Sequence, residues 1–253
     1  MIGIIEEKLN EIPSLIIADT AKKTEALPTV VFFHGFTSAK EHNLPIAYML
    51  AEKGYRVILP DSMYHGSREQ GVNSMQRMVS FWDIVMKNVK ELGMIKDVLD
   101  ERNLILNGRI GIAGTSMGGI TTSAALTQYP WIKAAAVLMG SPKLSIFARS
   151  LIEGLKEKGD LPVTDETINQ LYQQLEQYDL SKQPEKLNQR PLFFWHGVND
   201  PAVPFDHSYH FYQDVKEQYV NHEDIHFLRE ENRGHKVSRY ATLEAVKWLH
   251  KHV

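Results

Sequence analysis

The chain has 253 residues, 43% hydrophobic and 23% charged, and its 28 basic against 31 acidic side chains leave a formal net charge of −3. That length and apolar content support a large buried core in one domain, or one domain with an insertion, and argue against disorder. Balanced charge without a long like-charge block gives no electrostatic case for a nucleic-acid or membrane-surface partner, and the lack of cysteine excludes disulfides, thiolate metal sites and cysteine nucleophiles.

The opening residues Met1 to Glu7 carry no basic segment leading into a long apolar core, and no run reaches membrane-spanning length, so a soluble, cytoplasmic protein is expected. Gly3 to Leu9 and Leu15 to Ala18 read as short strands around Pro13, forming an antiparallel hairpin. After it, Thr29 to Phe33, Arg56 to Leu59, Arg109 to Ala113, Ala134 to Leu138 and Leu192 to Trp195 are continuous apolar runs, as expected of strands covered on both faces. Ile225 to Leu228 reads as a further strand. Helical spacing marks Leu44 to Lys53, Ser74 to Glu101, Gly118 to Gln128 and Thr242 to His250. The alternation predicts an α/β fold, a mainly parallel sheet with helices on both faces.

One stretch breaks the rhythm. From Pro142 to Arg190 there is no strand pattern but two helical ones, roughly Leu144 to Lys158 and Thr164 to Tyr178, separated by Gly159-Asp160-Leu161-Pro162. The expected organisation is a core of residues 1–141 and 191–253 with a helical cap at 142–190, over the sheet edge where open α/β folds bind ligands. An enlarged structural crossover is the alternative.

Gly114-Thr115-Ser116-Met117-Gly118 joins an apolar strand to a helix made of small residues. A G-x-S-x-G turn of this kind holds a serine on a tight strand-to-helix elbow, with glycines where side chains would collide, and makes Ser116 the candidate nucleophile. A serine hydroxyl needs a base to take its proton and a carboxylate to hold that base. His235, in the loop between Ile225-His226-Phe227-Leu228 and the last helix, is the candidate base. Asp200, in His196-Gly197-Val198-Asn199-Asp200-Pro201 just past a strand, is the candidate acid, with Asp206 close by in sequence. Negative charge developing on the substrate oxygen calls for preorganised amides. The backbone of Met117, at the start of a helix, and of Phe36, after the strand ending in Phe32-Phe33-His34-Gly35, are the candidates.

His34 is expected to hold the oxyanion loop. For Asp61 and His65, hydrogen bonding within their loop and contact with substrate both stay open. Phe36, Met63, Trp82, Met117 and Phe147 are candidates for an acyl pocket or simply for the core. His222-Glu223-Asp224-Ile225-His226 matches the zinc-protease pattern H-E-x-x-H, but an extended segment places residues four apart about 13 Å from each other, too far to share one ion. No metal is expected.

Together His34-Gly35-Phe36, Gly54 to Asp61 with His65-Gly66-Ser67-Arg68, Gly114 to Gly118, His196 to Pro204 and Gly234-His235 resemble the α/β-hydrolase family. Within it they resemble the small serine esterases and the prolyl-oligopeptidase-like, dienelactone-hydrolase-like hydrolases. The resemblance implies an α/β-hydrolase fold, a Ser116/His235/Asp200 triad, an oxyanion hole from Phe36 and Met117, and no cofactor. The expected activity is hydrolysis of small carboxylic esters through an acyl-enzyme. A peptidase or amidase of the prolyl-oligopeptidase type is the alternative, set second because 253 residues leave no room for a large gating propeller. A non-catalytic binding protein on the same fold is the alternative from a different class.

Overall fold

Six apolar segments form adjacent parallel strands in the computed structural model, which describes residues 1–157, 159 and 163–253. They are β3 (Leu27–Phe33), β4 (Arg56–Pro60), β5 (Ile105–Thr115), β6 (Ala135–Leu138), β7 (Leu192–Gly197) and β8 (Ile225–Glu230). The hairpin of β1 (Ile2–Leu9) and β2 (Ile12–Asp19) adds antiparallel to β4 and completes an eight-stranded sheet of order β1-β2-β4-β3-β5-β6-β7-β8. This is the expected mainly parallel architecture.

Alternation along β3 shows how both faces are covered. Val30 and Phe32 point into a core shared with α1 (Leu44–Ala51) and α8 (Arg239–His252). Val31 and Phe33 point into a larger core with α3 (Phe81–Glu101), α4 (Met117–Gln128) and α7 (Phe205–Lys216). A strand buried on both sides has no polar alternation to show, which is why these runs read as continuous apolar stretches.

The structure differs from expectation in three places. The hairpin turns at Asn10 and Glu11, both with positive φ (50° and 63°), and Pro13 lies inside β2. Leu9 pairs with Ile12 next to this two-residue turn, so the following pair Lys8↔Pro13 is of the kind that exchanges no backbone bonds, and the missing proline N–H is tolerated. The helical stretch 74–101 divides at Ser80 (φ −85°, ψ 4°) into α2 (Ser74–Val79), closed by an Asn73/Gln76 capping box, and α3. The helix α7 had no counterpart among the predicted elements.

Residues 142–190 hold α5 (Leu144–Glu157), α6 (Asp165–Glu176) and short 3-10 turns at Leu180–Lys182 and Pro184–Leu187, with no strand among the described residues. Lys158, predicted to end the first helix, and Asp160, Leu161 and Pro162 of the predicted separator lie outside the described residues. The buried carboxylate of Asp179 joins the two ends of this stretch: it accepts from Ser145 N at 2.7 Å in the first turn of α5 and from Ser181 N at 3.0 Å. Arg190, also buried, donates to the carbonyls of Tyr129 (2.7 Å) and Leu126 (2.6 Å), which α4 leaves unpaired at its C-terminus.

The chain leaves β3 for β4 on one side and returns to β5 on the other. The two crossovers diverge at the C-terminal ends of β3 and β5, the place where open α/β sheets form their ligand crevice.

Candidate active site

Ser116 lies at this divergence, between the last residue of β5 and the first of α4. Its φ of 57° and ψ of −116° fall outside the regions ordinary side chains occupy, a strain of about 1–3 kcal/mol that only surrounding structure can hold in place. The flanking glycines show what holds it. A Cβ on Gly114 would come within 2.3 Å of the Gly118 backbone, and one on Gly118 within 2.1 Å of the Phe33 carbonyl oxygen. Ser116 N donates to Leu138 O at 2.8 Å, locking the elbow to β6. Thr37, Tyr64 and Met139, just past β3, β4 and β6, also have positive φ (60°, 63° and 44°), so strained backbone lines this edge of the sheet.

His235 and Asp200 reach the elbow from loops after β8 and β7. The Ser116 hydroxyl and His235 Nε2 are 2.8 Å apart, and His235 Nδ1 lies 2.7 Å from Asp200 Oδ2. A carboxylate only accepts, so Nδ1 carries the proton and Nε2 is left as an acceptor for the serine hydroxyl. Asp200 has a fully buried side chain, whereas that of His235 keeps 25% of its surface open. Burial alone would raise the Asp200 carboxyl, but hydrogen bonds from His196, His235 and the Val203 and Ala202 amides outweigh it and hold the group well below the usual carboxylate range. Asp206 is exposed on α7 and is not the partner of His235.

His196 went unrecognised as part of this network, although it stands in the same loop motif. Its buried ring places Nε2 3.2 Å from Asp200 Oδ2, the same oxygen that faces His235, and 3.0 Å from Val203 O. Gly197 completes the fit, since a Cβ there would lie 2.4 Å from Arg233 O in the histidine loop.

On the other flank Gly35 packs against the elbow, its Cβ position 3.5 Å from Ser116 Cβ, and brings the Phe36 backbone beside the serine. Met117 is the first residue of α4, where the N–H has no intrahelical acceptor and the helix dipole favours negative charge. Two histidines hold the strand end. His34 accepts from Ser62 N at 3.0 Å and donates to Gly35 O at 2.8 Å; His65 accepts from Thr37 N at 3.1 Å and donates to Met63 O at 2.8 Å. Each ring uses one nitrogen as acceptor and one as donor, so both are neutral. Burial reinforces this, pushing His34 down to about 4 and lowering His65 as well.

The Asp61 carboxylate ties its own loop to Lys40 in the segment after β3. It accepts from Lys40 Nζ and Ser67 N, each at 2.8 Å, and from Lys40 N at 3.0 Å. Phe36 lies edge-on to His65 and Phe81, and Trp82 to Phe147; Trp82 and Phe147 are each 4% exposed and Met117 fully buried, so these three belong to the core. His222 opens a 3-10 turn, and His226 lies in β8 with its ring stacked on Phe193 of β7, so the helix required by the zinc-protease pattern is not formed.

A mainly parallel sheet with an N-terminal antiparallel hairpin, a serine elbow at the switch point, and histidine and aspartate loops at the same edge define an α/β-hydrolase. The sequence matches the prolyl oligopeptidase family over residues 42–253, and the chain belongs to that family. It is 46% identical over 251 residues to a Bacillus subtilis (strain 168) protein named "Putative esterase YitV", covering 98% of each chain. It is 34% identical over 220 residues to the Escherichia coli (strain K12) "Esterase YjfP", covering 86% of each. Among solved structures, TT1662 from Thermus thermophilus superposes with a TM-score of 0.76 at 19% identity, over 99% of this chain and 98% of the other.

Proposed function

We propose that this chain is a serine hydrolase of small carboxylic esters, with Ser116 as nucleophile, His235 as general base and acid, and Asp200 as the carboxylate that orients and stabilises the histidine. The observation that carries the reading is the continuous hydrogen-bonded line from Ser116 Oγ through both nitrogens of His235 to a buried carboxylate, starting at a strained elbow. The esterase names of the two sequence relatives support the ester as substrate class.

In this mechanism His235 Nε2 takes the hydroxyl proton as Ser116 Oγ attacks the ester carbonyl. The imidazolium that forms is stabilised by Asp200, which stays ionised because four hydrogen bonds favour its charged form. The amides of Met117 and Phe36 receive the oxyanion, each such donor being worth about 3–4 kcal/mol in comparable sites. His235 then protonates the departing alcohol, and water, activated by the same nitrogen, releases the acyl group.

Ser116→Ala should lower hydrolysis of short p-nitrophenyl esters by roughly 10⁴- to 10⁶-fold and abolish fluorophosphonate labelling, with an unchanged circular dichroism spectrum. Retained labelling would remove Ser116 from its role. Cleavage of amides is the second reading, favoured by the name of the family that the sequence matches. Parallel assays on p-nitrophenyl esters and aminoacyl anilides separate the two, and dominant anilide turnover would reverse the order.

Residues 142–190 belong to this proposal as a cap over the crevice, supported by the edge-on contacts of Phe147 in α5 with Trp82 and His207. A cytoplasmic location also belongs to it. Among the described residues no helix is long and apolar enough to cross a membrane, and cell fractionation tests the compartment directly.

A further inference from the structure

His235 lies in a loop with few bonds of its own, yet its ring is held between two partners. Residues 231–237 form that loop, and its ends converge on a single carboxylate. Glu230, the last residue of β8, accepts from Trp195 Nε1 at 2.7 Å with Oε2, and the same oxygen accepts from the Ser238 hydroxyl. Ser238 is in turn the N-cap of α8, its Oγ accepting from Ala241 N at 2.9 Å. Trp195 is a fully buried residue of β7, two positions before Gly197, where the Asp200 loop begins. Oε1 faces Arg233, inside the loop, at 3.8 Å.

From this arrangement we infer that Glu230 is a positioning residue for His235. One carboxylate fastens the start of the histidine loop, its end and the strand carrying the acid loop to a common point. Backbone bonds extend the same linkage, with Val198 N donating to Glu230 O at 3.0 Å and Asn199 N to Arg233 O at 2.9 Å. Gly197 fits directly beneath Arg233 and Gly234, so a loop released from Glu230 would be free to rise off β7 and carry His235 with it. The effect on chemistry is indirect. Loss of the tether lengthens the Asp200–His235 and His235–Ser116 contacts together, and displacements of about 1 Å at such contacts cost on the order of 100-fold in rate.

The inference rests on the proposed role of His235, and the test keeps the two apart. In Glu230→Ala, kcat for a p-nitrophenyl ester should fall about 10- to 100-fold with KM unchanged. The downfield proton resonance of His235 Nδ1 shared with Asp200 should broaden or vanish. Glu230→Gln, whose amide oxygen can accept from both Trp195 and Ser238, should restore most of kcat and the resonance. A folded Glu230→Ala protein with wild-type kcat and an intact resonance overturns the inference, as does a Glu230→Gln protein impaired as much as the alanine variant. Should Glu230→Ala fail to fold, Trp195→Phe and Ser238→Ala each remove one donor, and wild-type kcat in both is the overturning result. Should the wild-type protein hydrolyse no ester, the proposed function fails, and the resonance alone still decides the tether: its persistence in the alanine variant refutes it.

Discussion

At the scale of single residues, the elbow depends on two missing side chains as much as on Ser116. Both Cβ positions meet backbone, which no rotamer change can move, and Gly118 has the closer approach, 2.1 Å from the carbonyl oxygen of Phe33 in the central strand. Gly118→Ala should therefore destabilise the fold by about 1–3 kcal/mol, the range for overpacking a closed interior, and slow fluorophosphonate labelling by shifting α4 away from β3. Chemical denaturation and labelling rates check both parts; a variant with wild-type values for both would mean that the elbow is looser than its contacts imply. The glycines, Ser116, Asp200 and His235 could all be picked out in the sequence because tight turns admit few residue types. His196 and Glu230 could not be. A histidine and a glutamate at the ends of their strands carry no spacing signal, and their partners, Asp200, Trp195 and Ser238, are fixed only by strand register and loop path.

At the scale of elements, strands were the easiest to read and helices beside the site the hardest. β3, β4, β6 and β7 are short, apolar and covered, so composition alone marks them, whereas β5 begins with the partly polar, part-exposed residues 105–109 and the edge strand β8 is half open. The helix α7 follows Pro204 without a side-chain cap, and its buried positions Ser208, Phe211 and Val215 are interleaved with histidines and tyrosines, which blurs the apolar stripe. The helices of 142–190 were legible as helices, but their attachment was not, because it runs through Asp179 and Arg190, polar residues that a pattern search assigns to the surface. Asp179→Ala should leave Ser145 N–H buried without its acceptor, at a cost of about 1–3 kcal/mol. Hydrogen exchange of α5 should accelerate, while the labelling rate of Ser116 stays near wild type. Unchanged exchange in α5 would show that apolar packing alone fastens this stretch.

At the scale of the whole molecule, acid sensitivity follows from histidines buried in neutral form. Burial pushes His34 and His207 down to about 4 and lowers His65 and His252 as well. Unfolded histidines take up protons near 6.5. Below that pH the unfolded chain binds protons that the folded chain refuses, so stability should fall as pH drops from about 6.5 to about 4, with a slope approaching about 1.4 kcal/mol per pH unit for His34 and for His207 and a further loss in the same direction from His65 and His252. Asp61 and Asp200, both held low, add a further loss below about 4 as their native hydrogen bonds are titrated away. Denaturation midpoints measured from pH 8 to pH 4 should therefore decline mainly below 6.5; a flat profile down to pH 4.5 would contradict the neutral assignment of these rings.

The chain order of the site has a further consequence during synthesis. On the proposed roles, the nucleophile Ser116 follows the fifth strand, whereas its base His235 arrives only after β8, with α8 still to be added as the cover of one core. A ribosome emits the nucleophile more than a hundred residues before the group that can deprotonate it. Until the last strand docks beside β7, the elbow, even if formed, holds an ordinary alcohol. With these roles, chains stalled or cut before residue 235 should be chemically silent, and hydrolytic competence is withheld until nearly every other part of the fold has been made.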